Sequence, residues 1–155
     1  MGGDGPVRQV EPLPDLPVRQ AFGGKLGDLQ FLAELKRDAA PATCRYFESL
    51  LPYTTQFIHV RWSGEACWIP LGAQSVPFAY ENPTSYPAPG EMIFHPGGVS
   101  ETEILLAYGG VRFSSKVGQL AGNHFLTVVE GLEQLPTLGR RTLWQGAQDV
   151  LIERL

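Results

Sequence analysis

Residues 56–70, QFIHVRWSGEACWIP, concentrate side chains that could do chemistry. The segment holds an Arg, a Glu, two of the three Trp, one of the three His and one of the two Cys. Arg61 offers a guanidinium that can bind a carboxylate or enolate through two parallel hydrogen bonds. Glu65 could pair with that cation or move a proton. The segment therefore predicts one wall of a concave site, with a hairpin that only fills a core as the alternative.

Two tryptophans flank a Ser-Gly turn in this segment. Trp62 and Trp68 predict an aromatic wall for an apolar or unsaturated ligand, because ligand pockets are largely apolar with a few polar groups. Packing of both rings in the core is the other interpretation. His59 lies two residues before Arg61, and we expect the two to share one face, since strand side chains repeat every two residues. A structural ion pair or a solvent-facing cation is the alternative for Arg61.

Other residues could complete the site from elsewhere in the chain. Glu81 is a candidate general base at the mouth of a cavity, and the predicted catalytic set is Arg61, Glu65 and Glu81. The predicted ligand-binding set combines one histidine, one asparagine, two tryptophans and three tyrosines: His59, Trp62, Trp68, Tyr80, Asn82, Tyr86 and Tyr108. Structural roles are the alternative for each, and Asn82 before a proline is typical of a shaped turn.

The composition predicts one domain and argues against several classes of partner. The 155 residues are 43% hydrophobic and only 18% charged, with a net charge of −4. That length can bury one sizeable core, and the absence of a basic patch argues against nucleic-acid binding. No apolar run approaches the roughly 18 residues of a membrane span, and no secretory signal is visible. Two isolated cysteines fit a reducing cytoplasm.

The expected partner is a small molecule bound without a cofactor or a metal. The sequence has no G-x-S-x-G motif, no Walker loop and no dinucleotide fingerprint. His95 and His124 lie far apart, and neither is near a Cys or carboxylate at ligand spacing, which argues against a metal site. The low charged fraction allows a homodimer but indicates no interface.

Eight segments alternate as strands do, and two have helical spacing. The helices are predicted at 39–51, after an acidic cap and an early proline, and within 132–144. A glycine pair at 109–110 is expected to end one strand. The predicted strands are 29–35, 56–62, 66–69, 76–80, 92–94, 103–108, 124–129 and 149–155. This set predicts a mainly β protein, a closed or nearly closed antiparallel barrel capped by two helices.

Residues 1–22 are predicted to be a separate N-terminal arm, and residues 23–155 the barrel domain. The first 20 residues contain four prolines and three glycines, which argues against a helix or a central strand. A disordered leader is one interpretation. The other is a lid that folds over the body, because apolar residues in the arm give it surface to bury.

The order of these parts resembles the cyclophilins. Residues 35–47, LKRDAAPATCRYF, resemble the passage from strand to helix in that family, and FIHVR at 57–61 falls where cyclophilins carry a Phe-His-Arg segment. A group of small bacterial cyclophilin-like domains of unknown function is closer still. Their pieces are matched by RWSGE at 61–65, ENPT at 81–84, YPAPGE at 86–91 and GRR at 139–141. The resemblance covers about residues 27–155 and implies a cyclophilin-like β-barrel.

The sequence departs from the prolyl isomerases of this fold at the site itself. Those enzymes need an active-site Arg followed by Gln-Gly-Gly, and residues 62–68 read WSGEACW instead. A peptidyl-prolyl isomerase is therefore the least favoured function. The favoured one is a cofactor-free enzyme for a small molecule, with isomerase, cyclase or lyase chemistry. Small barrels, some of them with cyclophilin-like topology, act as cyclases in natural-product pathways, including polyketide and polyether ring formation, and this analogy favours a role in natural-product biosynthesis. A non-catalytic binder of small molecules or peptides is the alternative.

Overall fold

The computed structural model describes residues 17–22 and 27–155. The strands, in chain order, are β1 (Pro17–Phe22), β2 (Gln30–Leu35), β3 (Tyr53–His59), β4 (Gly64–Gly72), β5 (Pro83–Thr84), β6 (Glu91–His95), β7 (Thr102–Val111), β8 (Ser114–Ser115), β9 (Gly118–Gln119), β10 (Gly122–Glu130) and β11 (Gln148–Arg154). Helix α1 spans Pro41–Ser49, and a short 3-10 turn leads into α2 at Leu135–Gln145. Both predicted helices are confirmed.

Nine of the strands form one curled antiparallel sheet. The order is β2-β1-β11-β3-β4-β7-β6-β10-β5, and β10 also pairs with β2; eight of the nine are longer strands of the barrel, and β5 is a two-residue strand at the edge. The contact between β3 and β4 consists of two residue pairs, Ile58 with Trp68 and His59 with Cys67. The barrel is therefore open along the rest of this seam, and the closed or nearly closed barrel expected from the sequence is corrected to an open one. The count of about eight strands is confirmed.

Two apolar layers lie on opposite faces of the sheet. The inner layer fills the barrel with alternate residues of the strands: Phe31, Ala33, Leu35, Phe57, Cys67, Ile69, Met92, Phe94, Ile104, Leu106, Phe125, Val128, Val150 and Ile152. A smaller outer layer covers β4, β6 and β7, where Phe113 and Leu120 pack on Ala66, Ile93 and Leu105. The segment 113–120, which contains the β8–β9 hairpin, thus covers part of the outer face of the barrel.

The eighth strand of the barrel is not the one that the sequence predicts. Residues 76–80 form no strand, because Phe78 turns its ring onto Phe94 and the Ala79 carbonyl accepts a hydrogen bond from the Asn123 side chain. The eighth strand of the barrel is instead β1, which pairs with β2 on one side and β11 on the other. Pro17 is its first residue, where a missing N–H is tolerated. The predicted arm covers residues 1–22; its last six residues form β1, and residues 1–16 lie outside the described residues.

The sequence predicts that the glycine pair at 109–110 ends its strand, and this prediction is wrong. Strand β7 continues to Val111. The Glu65 side chain lies directly over Gly109, where an added Cβ would come within 2.7 Å of its carboxyl carbon. The Gly110 N–H donates to Glu65 Oε1 at 3.1 Å. These glycines therefore make room for a side chain instead of a turn.

Helix α2 packs Gly139 against the ring of Tyr108 in β7, and replacing this glycine with alanine is expected to destabilise the fold. An added methyl group would overlap the ring of Tyr108. Overpacking of this kind costs about 1–3 kcal/mol, against a gain of about 1 kcal/mol in helix propensity. We expect a net loss on the order of 1 kcal/mol in urea denaturation. The control is Gly110→Ala, whose Cβ meets nothing closer than 3.7 Å. Equal stability of the two variants would contradict the expected clash.

Candidate functional site

A groove of about 430 Å³ lies on the outer face of the barrel, between the end of the β3–β4 seam and the β8–β9 hairpin. Its apolar lining comes from Ile58, Val60, Trp62, Trp68 and Pro70. Its charged side chains are Arg61, Glu101, Glu103 and Lys116, and four serines, Ser63, Ser100, Ser114 and Ser115, complete it. An apolar cleft with a few polar groups is the usual form of a small-molecule site.

Strand register places the residues of the groove floor beside one another. Ile58 lies opposite Trp68 across the β3–β4 seam, and Pro70 lies opposite Glu103 between β4 and β7. Directly opposed residues share a face of the sheet, and diagonal neighbours such as Trp68 and Glu103 remain within reach of long side chains. The residues that alternate with them, including Cys67 and Ile104, face the barrel core.

Glu103 is the buried acid of the groove. The residue is only 7% exposed, and among the described residues none makes a hydrogen bond or ion pair with its carboxyl group. Burial, and then the negative charge of Glu101, raise the pKa of Glu103 to about 8. The carboxyl group is therefore largely protonated at neutral pH and can donate a proton. Trp68 brings an indole N–H that is buried and has no acceptor within the described chain.

The two cations of the groove belong to its opposite walls. Arg61 lies in the turn between β3 and β4, and Lys116 lies in the β8–β9 hairpin; both are exposed and neither pairs with a described residue. Ser63 joins these walls, since its hydroxyl donates to the Ser114 carbonyl and accepts from the Ser114 N–H, both at 3.0 Å. Its own carbonyl accepts from Arg112 N–H at 3.0 Å. The distance between the walls is thus fixed by one buried serine.

Three of the ten predicted site residues line the groove: Arg61, Trp62 and Trp68. His59 does not, and its expected shared face with Arg61 is wrong because β3 ends at His59 and Arg61 falls in the turn. His59 instead accepts from the Tyr108 hydroxyl at Nε2 and donates from Nδ1 to the Val60 carbonyl, each at 2.7 Å. The structure therefore places His59 and Tyr108 away from the groove, as a hydrogen-bonded pair.

The two other predicted catalytic residues are engaged elsewhere. Glu65 is bound to the backbone of β7, as described above. Glu81 lies at the start of α1, where its Oε1 accepts from the N–H of Thr43 at 2.6 Å and from the Thr43 hydroxyl at 2.7 Å. A carboxylate in this position satisfies an N–H of the first helical turn that otherwise has no partner. Both contacts are structural in character.

The remaining predicted ligand-binding residues lie near the loop that follows β4. Asn82 has a positive φ of 51°, and its side chain donates to the His124 carbonyl at 2.8 Å. The Tyr80 hydroxyl lies 3.4 Å from Nδ1 of His95. Tyr86 is 62% exposed. None of the three lines the groove.

The sequence analysis missed Glu101, Glu103 and Lys116. The available signal for Glu103 is an acid set directly beside a run of apolar residues, 104–107, in a strand predicted to be part of the barrel. Such a run indicates burial on both faces, and an acid at its border is then close to buried. Nothing in the local pattern of Lys116 distinguishes it from other surface lysines.

Among the described residues, no group of three or more His, Cys, Asp or Glu side chains is arranged to hold a metal ion. No helix in that same part of the chain is long and apolar enough to cross a membrane.

Three solved structures show which class of fold this is. A structure of McbB in complex with tryptophan aligns with a TM-score of 0.65 and 17% identity over 88% of this chain and 44% of McbB. The solution structure of the hypothetical protein AF2241 from Archaeoglobus fulgidus gives 0.60 and 18%, over 91% and 95% of the two chains. The Mimivirus cyclophilin gives 0.56 and 13%, over 93% and 90%. The chain therefore has a cyclophilin-like fold, and it spans less than half of McbB.

The family follows from the sequence itself. Residues 25–153, which are 129 of the 155, match the model of DUF3830, described as a protein of unknown function. The chain belongs to this family, as the resemblance to small cyclophilin-like domains implied. No curated protein matches the sequence.

Proposed function

We propose that the groove is the active site of a cofactor-independent enzyme that moves a proton on a small organic substrate. The observation that carries the proposal is Glu103, a buried carboxyl group without an internal partner whose pKa is raised to about 8. Structural carboxylates are normally paired or hydrogen-bonded when buried. A catalytic acid or base instead needs a free position and a pKa close to the working pH.

In the proposed chemistry one carboxyl group acts first as a general acid and then as a general base. Glu103 donates its proton to a carbonyl oxygen or alkene carbon of the substrate, and the resulting carboxylate removes a proton from another carbon. The substrate is thereby isomerised, or it closes a ring if a nucleophilic atom of its own attacks the activated carbon. Arg61 supports negative charge that develops on the substrate. The apolar floor holds the substrate in a reactive pose.

The finer form of the proposal is a cyclase or isomerase step in the biosynthesis of a bacterial natural product. The structure of McbB with tryptophan supports it to the extent that a protein of this fold holds a small aromatic molecule. A non-catalytic binding protein is the second candidate, which the open groove and the 61% exposed Trp62 favour. Prolyl isomerisation stays the third candidate, and a proline peptide assay is expected to show no turnover.

A general proton-transfer probe tests the proposal before the substrate is known. A carboxylate removes the ring proton of 5-nitrobenzisoxazole as the N–O bond breaks, and a coloured cyanonitrophenolate is released. We expect turnover that rises with pH around a midpoint near 8, because only ionised Glu103 acts as the base in this reaction. Glu103→Gln should lower the rate by about 100-fold or more.

The matched control is Glu133→Gln, at an exposed carboxylate outside the groove. It should retain the wild-type rate and pH profile. A rate that survives Glu103→Gln, or wild-type turnover no faster than that of acetate in solution, would count against catalysis by Glu103.

A further inference from the structure

The charge of the groove depends on whether Glu103 holds its proton. The charged groups that line the groove are Arg61 and Lys116, which are positive, and Glu101 and Glu103, which are acids. His95 lies opposite Glu103 in the β6–β7 register. Burial lowers the pKa of His95, so this imidazole stays neutral at pH 7. The groove therefore carries one net positive charge while Glu103 is protonated, and none once Glu103 is ionised.

The two cations are free to meet an anion from opposite sides. Neither Arg61 nor Lys116 has a partner among the described residues, and Ser63 fixes the two walls that carry them. A guanidinium matches the two oxygens of a carboxylate, whereas an ammonium adds a point charge. A cation pair that faces an open groove without an internal carboxylate partner is complementary to an anionic ligand.

The floor of the groove that holds the cations is largely apolar. The floor consists of Ile58, Val60, Trp68 and Pro70. Trp62 lines the groove and is 61% exposed, and Val117, which follows Lys116 in the chain, is 60% exposed. Large exposed apolar side chains beside a cleft mark a surface that a ligand or partner covers. The ligand that fits these features has one anionic group and an extended apolar body.

We propose that the groove takes an organic carboxylate with an apolar body, held by Arg61 and Lys116, and that it binds this ligand only while Glu103 is protonated. The assignment rests on the proposed function, because it names the class of substrate for the same groove. The protonated Glu103 contributes a donor to the bound molecule and adds no repulsion. Ionised Glu103 would place a second negative charge beside the carboxylate in a poorly solvated cleft.

The pH dependence follows from linkage between the two charges. A bound carboxylate favours the protonated form of Glu103, so binding takes up a proton at any pH above the pKa of the free protein. Affinity for the carboxylate is therefore full below about pH 7 and falls as pH rises through the pKa of Glu103, about 8. A neutral ligand of the same shape has no such dependence.

Calorimetry with 4-phenylbutyrate and 4-phenylbutyramide tests this assignment on the intact chain. These probes share the apolar body and differ in charge. At about pH 6.5 we expect the acid to bind at least about tenfold more tightly than the amide, and by about pH 9.5 the advantage should be lost. Arg61→Gln should remove the advantage at the lower pH. Arg140→Gln, on the exposed side of α2, is the control and should keep it.

Glu103→Gln supplies the decisive variant, because it should keep the preference for the acid at both pH values. Equal binding of acid and amide by the wild-type chain, or no binding of either at roughly 10 mM, would overturn the substrate class. Displacement by inorganic phosphate as effective as by phenylbutyrate would show a general anion site and would overturn it too. The 5-nitrobenzisoxazole reaction uses a neutral substrate, so the proposed function can stand when this inference fails.

Discussion

Replacing Glu103 with glutamine is expected to make the folded protein more stable at pH 8 while it removes proton transfer. The buried carboxyl group has a pKa of about 8 in the folded chain and an ordinary value of 4.5 when exposed. Glutamine keeps the shape of the protonated acid and never ionises. Loss of function with a gain in stability is the expected signature of a catalytic group held in an unfavourable environment.

The sign of the change in stability with pH follows from the number of protons bound by the folded and unfolded chains. Between pH 4.5 and about 8 the unfolded chain has lost this proton and the folded chain has kept it. The unfolded state therefore binds fewer protons, and stability decreases as pH rises through this window. One pK unit corresponds to about 1.4 kcal/mol, so the rise in pKa from 4.5 to about 8 corresponds to a loss on the order of 4 kcal/mol by pH 8. Glu103→Gln removes this loss.

Urea denaturation at several pH values measures the effect. Wild type and Glu103→Gln should have similar free energies of unfolding near pH 4.5, and the variant should be more stable by several kcal/mol at pH 8. The control, Glu133→Gln, should follow the wild-type curve. Parallel curves for wild type and Glu103→Gln would mean that Glu103 ionises in the folded state as it does in water.

The largest loss of stability is expected from Asn123→Ala. The Asn123 side chain is fully buried, and its amide makes three hydrogen bonds. Its Oδ1 accepts from the N–H of Glu81 at 2.9 Å. Its Nδ2 donates to the Ala79 carbonyl at 2.9 Å and to the Thr43 hydroxyl at 3.0 Å. Alanine cannot replace these hydrogen bonds. Each partner group that stays buried without a hydrogen bond would lower the free energy of unfolding by about 1–3 kcal/mol.

We expect a loss of about 3 kcal/mol in the free energy of unfolding, measured in urea at constant pH. Gln56→Ala, which removes an exposed hydrogen bond to Asp149, serves as the control and should change stability by less than about 0.5 kcal/mol. A loss below about 1 kcal/mol for Asn123→Ala would indicate that water replaces the amide, and the loop would then not depend on this residue.

Local patterns predicted most of the fold, and the failures lie where distant contacts decide. Alternation located seven of the eight barrel strands, since one face of each meets the core. Residues 76–80 alternate as well, but Phe78 finds its place against Tyr46 and Phe94 instead of in the sheet. Strand β1 was missed because prolines dominate the residues before it. Its pairing with both β2 and β11 depends on chain ends that are far apart in sequence.

The groove could be predicted only in part, for a similar reason. Arg61, Trp62 and Trp68 were recognisable because a short segment carries them all. Glu103 becomes a buried acid only when other segments of the chain cover the outer face of the barrel. Glu81 looked available for catalysis because Thr43, which it binds, lies 38 residues away. Spacing along the chain does not reveal which carboxylates are already hydrogen-bonded to distant residues.

The position of β1 has a practical consequence for any shortened form of this protein. The family match begins at residue 25, after β1 ends at Phe22. A chain cut at that boundary would leave β2 and β11 with facing rows of free N–H and C=O groups, a vacant slot with strands on both sides. Such edges recruit strands from other chains and promote aggregation. The same slot could be filled by a separate peptide, PVRQAF, so that the barrel would reassemble from two pieces by donor-strand complementation.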